Sequence, residues 1–115
     1  MKKLKAYRLG HMAEAACIIY LTLKGYKVLE RRFKTRLGEV DIVAKRGKNL
    51  AFVEVKARNT PVDEVLNAKQ RQRITEAASL FLAKRQKFAN SDVRFDLIMF
   101  KPPCFIKHVK DAWRV

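Results

Sequence analysis

Two apolar runs separated by a tight turn constrain this chain more than any other part of its sequence. The runs are GEVDIVA, over residues 38–44, and FVEVK, over residues 52–56, and the turn between them lies at residues 47–49. This turn contains glycine and asparagine, which tolerate the backbone angles of hairpins, so the pattern predicts two antiparallel strands. A register centred on residues 47–48 places Asp41 almost directly across from Glu54.

Three charged side chains are predicted to converge on one face of this hairpin. Because strand side chains alternate between faces, Asp41 and Glu54 share a face with Lys56. Glu39 lies on the same face of its strand as Asp41. The apolar residues are predicted on the opposite face: Val40, Ile42, Val53 and Val55.

Two interpretations of these charges remain open. In the first, Lys56 neutralises the carboxylates in a structural ion pair. In the second, Asp41 and Glu54 hold a hard divalent cation such as Mg²⁺, which binds one or two carboxylates together with water and phosphate oxygens. Lys56 would then steady an attacking water or balance charge on a phosphorus-bound oxygen. An unbalanced negative pocket in a strongly positive chain favours the second interpretation.

Glu14 is a candidate third carboxylate. It lies in a predicted helix over residues 5–24, with Cys17, Ile18 and Leu21 following at helical spacing, so it falls within an apolar stripe. An inward carboxylate needs a partner. The pattern fits equally an edge position that reaches solvent and an inward position that faces the hairpin. Cys17 is predicted to be a buried, reduced thiol.

The chain is strongly basic, with 26 Lys and Arg residues against 11 Asp and Glu and a net charge of +15. Such an excess predicts a polyanionic partner, with nucleic acid as the first candidate and an anionic membrane surface as the second. No apolar run approaches the roughly 20 residues that a bilayer-spanning helix needs. No signal peptide is recognised, so the predicted location is the cytoplasm.

The predicted elements follow the order α-β-β-β-α-β with a small tail. This order indicates a single α/β domain over residues 1–115, with a mixed sheet flanked by helices. The strands are predicted over residues 26–35, 39–46, 50–58 and 93–100. Thr60 and Pro61 predict the start of a second helix that runs to about Lys84. The segment 105–113 is predicted either as a strand or as a short closing helix.

Four further residues are predicted to be structural. His11 and His108 have no ligand partner at metal-binding spacing and are interpreted as surface or structural residues. Phe105 and Trp113 are interpreted as core or subunit-contact residues.

The hairpin residues carry a resemblance to a known superfamily. Asp41, followed by Glu54-Val55-Lys56, resembles the motif of the PD-(D/E)XK, or restriction-endonuclease-like, nucleases, although Val40 replaces the proline of the formal motif. Glu14 in a preceding helix is similar to the arrangement in archaeal Holliday-junction resolvases. Nearly the whole chain resembles the YraN-like bacterial family. The matching features are Gly10 with Glu14, Gly25-Tyr26, GEVDIVA, FVEVKAR, Lys69 with Arg73-Ile74, and RFDLI.

The resemblance implies a role for each matching residue. Asp41 and Glu54 would bind Mg²⁺ or Mn²⁺, Glu14 would bind it directly or through water, and Lys56 would be the catalytic lysine. Glu39 and Gln70 are possible supporting residues; alternatively, Glu39 closes its strand and Gln70 hydrogen-bonds within the core.

Basic residues flank this acidic pocket along the sequence, and phosphate contacts of this kind give affinity without reading bases. Taken singly, each basic run also fits a solvated positive face. The candidates for nucleic-acid binding are Arg31, Arg32, Arg36, Lys45, Arg46, Lys48, Arg58, Lys69 and Arg73.

The predicted function is a divalent-metal-dependent endonuclease that hydrolyses DNA phosphodiester bonds. No zinc-finger, RNA-recognition or helix-turn-helix motif is recognised, so selection of branched, flapped or junction DNA by shape is expected. DNA is favoured over RNA, and a homodimer would suit cleavage of both strands. The alternatives are a catalytically silent nucleic-acid-binding protein and an accessory subunit with the same fold.

Overall fold

A mixed sheet organises the fold, with a helix packed on each of its faces. The computed structural model describes residues 2–57, 66–103 and 105–114, with side chains described from residue 10 onward. Helix α1 spans Lys2–Leu23 and helix α2 spans Ala68–Lys84. The strands are β1 (Lys27–Lys34), β2 (Glu39–Arg46), β3 (Asn49–Lys56), β4 (Asp92–Lys101) and β5 (Phe105–Trp113).

The five strands lie side by side in chain order. Neighbouring strands are antiparallel, except that β3 and β4 are parallel. A parallel pair requires a crossover connection, and α2 lies in that connection. The predicted α/β class, with a mixed sheet flanked by helices, is therefore confirmed. The segment predicted as a strand or a closing helix is the strand β5.

Each face of the sheet has its own hydrophobic cluster. The cluster on the α1 face includes Cys17, Leu21, Ile42, Val53 and Ile98. The cluster on the α2 face includes Val43, Phe52, Ile74, Phe81 and Leu97. Each fully buried valine, leucine, isoleucine or phenylalanine side chain in these clusters stabilises the fold by roughly 1.5–3 kcal/mol. The predicted burial of Cys17 is confirmed, since its side chain is 0% exposed.

Helix α2 begins later than the sequence predicts. Asn67 has an extended backbone, and its side chain accepts a hydrogen bond from the N–H of Gln70 at 2.9 Å, so Asn67 caps the helix. The predicted start at Thr60 and Pro61 lies outside the described residues. Leu66 is buried as expected, but it precedes the cap, so a continuous helix through this position is wrong.

The alternation of side chains breaks in β1 and also at the start of β2, and the break in β2 overturns part of the predicted hairpin pattern. Arg32 has a φ of 51°, so its side chain and that of Arg31 both reach α1. The next residue, Phe33, packs on the α2 face, and its cross-strand partner Val40 joins the same cluster. Ile42 belongs to the cluster on the α1 face. The prediction that Val40 and Ile42 share a face is therefore wrong.

A polar network is buried between β4, β5 and α1. Asp96 is 0% exposed and accepts hydrogen bonds from Nε and Nη2 of Arg94, both at 2.8 Å, and from the N–H of Asp111 at 3.0 Å. Nε2 of His108 lies 2.7 Å from Oδ2 of Asp96. The hydroxyl of Tyr20 lies 3.1 Å from Nδ1 of His108, which ties the end of α1 to the sheet. His108 is therefore a structural residue, as predicted.

Trp113 and Phe105, at the two ends of β5, differ in burial. Trp113 is 6% exposed and stacks on Phe95 with ring centroids 5.3 Å apart, so its predicted core position is confirmed. Phe105 is 57% exposed, so it does not lie in the core, and its alternative role as a subunit contact stays a prediction. It begins an edge strand, where the side chain lies at the margin of the sheet.

Candidate active site

The hairpin of β2 and β3 brings the predicted acid pair together. Its paired residues run from Arg46 opposite Asn49 to Ile42 opposite Val53. The regular pairing ends there, one step before Asp41 and Glu54, whose side chains lie within hydrogen-bonding reach of each other. Here the N–H of Val55 donates to Oδ2 of Asp41 at 2.8 Å, so a side chain takes the place of a backbone acceptor on β2.

Glu54 lies in an environment that opposes its ionisation. Burial, a hydrogen bond with Asp41 and the negative charge of Asp41 raise the pKa of Glu54 to about 9, and the charge of Glu39 acts in the same direction. The positive charge of Lys56 lowers this pKa but does not offset the other effects. A second positive charge placed between the carboxylates would favour their ionised forms.

The acid pair opens into a cleft of about 290 Å³ between the hairpin and α2. Lys56 lines this cleft beside Glu54, as the alternation of β3 requires. The structure also brings the predicted supporting residues Glu39 and Gln70 to the same cleft. The residues that line it are Glu39, Asp41, Glu54, Val55, Lys56, Gln70, Arg73 and Ile74.

Gly38 positions α2 over the cleft. A Cβ at this residue would lie 2.2 Å from the carbonyl oxygen of Arg73, so only glycine allows the turn to approach α2 this closely. The turn is held by Thr35, whose Oγ1 accepts hydrogen bonds from the N–H groups of Leu37 and Gly38 at 3.1 and 3.0 Å. The glycine of the GEVD run therefore brings α2, with Gln70 and Arg73, close to the acids.

Glu14 faces the protein interior, which settles the question left open by the sequence pattern. It is 8% exposed, and its carboxylate accepts hydrogen bonds from Arg32 at 2.9 Å and from Arg31 at 3.4 Å. It lines a second cleft of about 300 Å³, which also contains Asp41. The two clefts therefore share Asp41 as a common wall. The role of Glu14 as a metal ligand stays a prediction, since two arginines bind its carboxylate here.

His11 belongs to the surroundings of the site, although its sequence context predicts only a surface or structural residue. It lines the second cleft with Glu14 and Asp41, and both of its ring nitrogens lie within 3.1 Å of Nη2 of Arg32. Its position three residues before Glu14, on the same helix, was the available signal.

Cys17 is a buried thiol that lies close enough to Asp41 and Glu14 for their charges to affect its ionisation. Burial first, and then the negative charges of Asp41 and Glu14, raise the pKa of its thiol to about 12. The thiol therefore stays protonated at neutral pH, which leaves it unsuited to act as a nucleophile or a metal ligand.

The predicted phosphate-binding residues separate into two regions. The side chains of Arg31 and Arg32 are 59% and 45% exposed beside Glu14, and Arg73 lines the cleft. Lys45 and Lys48 lie at the other end of the hairpin, roughly 15 Å from Asp41 along strands that rise about 3.4 Å per residue. The exposed residues Arg36 and Lys69 lie in the β1–β2 turn and at the start of α2, and Arg58 lies outside the described residues.

Arg46 has a structural role at the far end of the hairpin. Its guanidinium donates to the carbonyl of Lys24 at 3.1 Å and lies 4.5 Å from the ring centroid of Tyr26. These contacts tie the hairpin to the end of α1. A phosphate contact by Arg46 would compete with them.

The donor set fits a hard divalent cation. Asp41 and Glu54 supply carboxylate oxygens at an open cleft, and Mg²⁺ commonly takes one or two carboxylates and completes its shell with water and phosphate oxygens. Within residues 2–57, 66–103 and 105–114, no group of three or more His, Cys, Asp or Glu side chains is arranged to hold a metal ion. The residues therefore suit an ion that shares its shell with solvent and substrate, rather than a structural zinc site.

The mixed five-stranded sheet, with a helix on each face, agrees with the restriction-endonuclease-like class of fold that the sequence resemblance implies. The chain belongs to the UPF0102 family, described as an uncharacterised protein family, whose model matches residues 13–100. The predicted YraN-like relationship is therefore confirmed.

Curated relatives match this chain over almost its full length. A UPF0102 protein of Parvibaculum lavamentivorans is 45% identical over 113 residues, which cover 96% of this chain and 85% of the relative. A UPF0102 protein of Paramagnetospirillum magneticum is 45% identical over 116 residues, covering 96% and 90%. A UPF0102 protein of Rhodopseudomonas palustris is 42% identical over 116 residues, covering 98% and 88%.

No helix in the described part of the chain is both long enough and apolar enough to cross a bilayer.

Proposed function

We propose that this chain is a divalent-metal-dependent endonuclease that hydrolyses DNA phosphodiester bonds, with selection of branched, flapped or junction DNA. The observation that carries this proposal is the pairing of Asp41 with Glu54 in an open cleft beside Lys56. Among the described residues, neither carboxylate ion-pairs with a lysine or arginine. The alternative of a structural ion pair through Lys56 is therefore disfavoured.

Asp41 and Glu54 would hold Mg²⁺ or Mn²⁺. When bound, the ion would polarise a phosphate oxygen and lower the pKa of a bound water. Its positive charge would also relieve the repulsion that raises the pKa of Glu54. The N–H of Val55 donates to Oδ2 of Asp41 and keeps this carboxylate oriented at the cleft.

The remaining cleft residues suit hydrolysis of a phosphodiester. In this reaction the oxygen of water joins phosphorus, one bridging P–O bond breaks, and the leaving oxygen takes up a proton. The ammonium group of Lys56 would balance the negative charge that develops on phosphate oxygens. The guanidinium of Arg73 offers a phosphate contact, and the amide of Gln70 offers a donor and an acceptor to orient water.

The basic surface supports a nucleic-acid substrate. A chain of net charge +15 repels itself unless a polyanion compensates it. Arg31 and Arg32 leave half or nearly half of their side chains exposed next to the site, where they can reach phosphates without leaving Glu14. Contacts of this kind follow the path of the backbone and are insensitive to base sequence, which supports selection by shape.

Cleavage assays test the proposal. Wild type should cut branched or flapped DNA with Mg²⁺ or Mn²⁺ and be inactive with EDTA. Asp41→Asn and Glu54→Gln should each lower the rate at least about 100-fold, the loss typical of a removed electrostatic contact to the transition state. Asp92→Asn is the matched control, because Asp92 is an exposed carboxylate outside the cleft and should keep full activity.

Unchanged cleavage by both site variants would assign the activity to a contaminant and refute the proposal. Equal rates on linear and branched DNA would leave the reaction in place and remove the selectivity for shape.

A catalytically silent nucleic-acid-binding protein, or an accessory subunit, is the second candidate. The ion pairs that occupy Glu14 favour it, since they leave two carboxylates rather than three available to a metal. A salt titration of DNA binding and a calorimetric titration with Mn²⁺ separate the two functions. Salt-sensitive DNA binding without metal uptake would support the silent protein, and metal uptake lost in Glu54→Gln would support the nuclease.

A further inference from the structure

Helix α1 has an apolar surface on the side that faces away from the sheet. Met12, Ile19 and Leu23 are 50%, 61% and 81% exposed, respectively. Together with Ala16 they follow the i, i+4, i+7, i+11 spacing of one helix face, which we call the α1 stripe. The stripe runs about 16 Å along the helix at 1.5 Å per residue.

The inward face of the same helix is already buried. Ala13, Cys17 and Leu21 are 0% exposed and pack against the sheet, so the α1 stripe is not needed for the core of the monomer. A contiguous exposed apolar surface on a soluble domain marks an interaction site more often than isolated exposed residues do.

The charge of the stripe argues against nucleic acid as its occupant. Residues 12–23 contain no lysine or arginine, although 26 of the 115 residues of the chain are basic. Glu14, the charged residue of this segment, faces inward. The hydroxyl of Thr22, at the margin of the stripe, donates to the carbonyl of Ile18 at 2.8 Å and is satisfied within the helix.

The stripe is complementary to itself. When two copies of α1 pack antiparallel about a two-fold axis between residues 17 and 18, Met12 of one copy faces Leu23 of the other, and Ala16 faces Ile19. A small side chain then meets a large one at the centre, which suits the interlocking of helix surfaces. A two-fold contact uses the same patch on both copies, so one surface supplies the whole interface.

We propose that the α1 stripe is the interface of a homodimer in which two α1 helices pack antiparallel. Two chains of +15 repel each other over most of their surfaces, and the uncharged stripe allows them to approach without opposing lysines or arginines. One helix pair covers less area than a standard interface, so the dimer is expected to dissociate in the micromolar range. The inference stands on α1 alone and does not depend on the chemistry of the acid pair.

Sedimentation velocity on nucleic-acid-free protein tests this dimer. Wild type should pass from monomer to dimer as its concentration rises. Dimerisation should strengthen between about 0.1 and 0.5 M NaCl, because salt screens the repulsion between the copies. Ile19→Lys should raise the dissociation constant at least about 100-fold, since each dimer loses two buried isoleucine side chains. Leu23→Lys repeats the test at a second exposed position.

Phe105→Lys is the matched control. Phe105 is 57% exposed, close to the 61% of Ile19, and the substitution adds the same charge outside the stripe. It should leave the dimer unchanged. Dissociation by Phe105→Lys with a normal dimer in Ile19→Lys would move the interface to the β5 edge and overturn the proposal. A wild type that stays monomeric at all concentrations and salt levels would also overturn it.

Disulfide cross-linking tests the antiparallel orientation. In a background with Cys104→Ser, the double variant Met12→Cys with Leu23→Cys should form a covalent dimer on mild oxidation. Neither single variant should do so, because equivalent positions lie roughly 16 Å apart along the axis. Cross-linking by the singles but not by the double variant would indicate a different packing. Wild type that remains monomeric and binds phosphatidylcholine vesicles would assign the stripe to lipid and overturn the dimer.

Discussion

Glu54 and Asp96 lie on adjacent strands of the same sheet, yet their carboxyl groups meet opposite surroundings. Burial alone would raise the pKa of Asp96, but hydrogen bonds from His108 and Arg94 outweigh burial and lower it. Burial and the neighbouring Asp41 raise the pKa of Glu54 to about 9, and Lys56 offsets only part of this effect.

The two acids differ in whether the chain itself supplies partners that stabilise the ionised carboxylate. Asp96 is met by donors from Arg94, His108 and the backbone of Asp111, so the monomer satisfies it completely. Glu54 is placed beside a second acid, which costs free energy unless a cation joins them. The first arrangement stabilises the fold, whereas the second is consistent with a ligand that the chain does not itself provide.

The largest expected effect comes from breaking the satisfied network. Asp96→Asn should lower the free energy of unfolding by about 3–5 kcal/mol, because Arg94, whose side chain is only 15% exposed, loses its charged partner. Urea unfolding at pH 7 measures this loss. Asp92→Asn, at an exposed position on the same strand, is the control and should change stability by less than about 0.5 kcal/mol. Equal losses of unfolding free energy in both variants would show that the hydrogen bonds to Asp96 contribute no more stability than an exposed carboxylate does.

Glu54→Gln should raise the free energy of unfolding, whereas Asp96→Asn lowers it. The pKa of Glu54 is raised in the folded state from its ordinary value of 4.5, so the folded protein binds this proton more tightly than the unfolded chain. Its contribution is present below about pH 4.5 and is lost as the pH rises toward 9. In metal-free buffer at pH 8, Glu54→Gln should therefore be more stable than wild type by on the order of 3 kcal/mol.

Chemical denaturation at pH 5 and pH 8 checks this prediction, with Glu76→Gln on α2 as the control. The two variants should differ in the slope of stability against pH, and identical slopes would contradict the assigned environment of Glu54.

Gly38→Ala probes the approach of α2 to the acid pair. The added Cβ would meet the Arg73 carbonyl oxygen at 2.2 Å, so the turn or α2 must move, at a cost of about 2 kcal/mol. Gly10→Ala is the matched control, because among the described residues no atom outside the local helix backbone lies within 4 Å of a Cβ there, and it should raise stability by up to about 1 kcal/mol. Thermal unfolding measures both, and a stable Gly38→Ala variant would show that the turn relaxes freely.

Binding of a divalent metal should give the smallest change in stability. This change should depend on Glu54 and not on Asp96. At tenfold excess over its dissociation constant, Mn²⁺ should stabilise wild type by about 1.4 kcal/mol. The shift in melting temperature should be larger at pH 8 than at pH 6, because the proton on Glu54 competes with the ion. Glu54→Gln should lose the shift. A shift that is the same at both pH values would separate metal binding from this carboxyl group.

Local patterns predicted most of the fold. Period-two alternation identified β2 and β3, and the turn at Gly47 set the register that brings Asp41 opposite Glu54. The start of α2 was missed because Asn67 caps it, and a cap is decided by the hydrogen bond to Gln70 rather than by apolar spacing. The face of Val40 was missed because the alternation of β2 breaks between Val40 and Ile42, where the carboxylate of Asp41 accepts the N–H of Val55.

The surroundings of the site were harder to predict than its members. The sequence identified Glu14 but not its binding by Arg31 and Arg32, since these contacts depend on how β1 packs against α1. The basic residues around Lys45 were expected near the acids because they are close in sequence, yet a hairpin places its tip far from its open end. The sequence predicts Gly38 only as part of a turn. Its close approach to Arg73 depends on how α2 packs against that turn.

The sequence by itself determined which acids meet, because a short turn at residues 47–49 and alternating side chains bring Asp41 and Glu54 to one face of the hairpin. Only the tertiary structure decided which of the buried acids is neutralised. Charge compensation depends on distances between strands and helices that are remote in sequence: Arg94 and His108 reach Asp96, Arg31 and Arg32 reach Glu14, and Glu54 keeps a carboxylate as its neighbour.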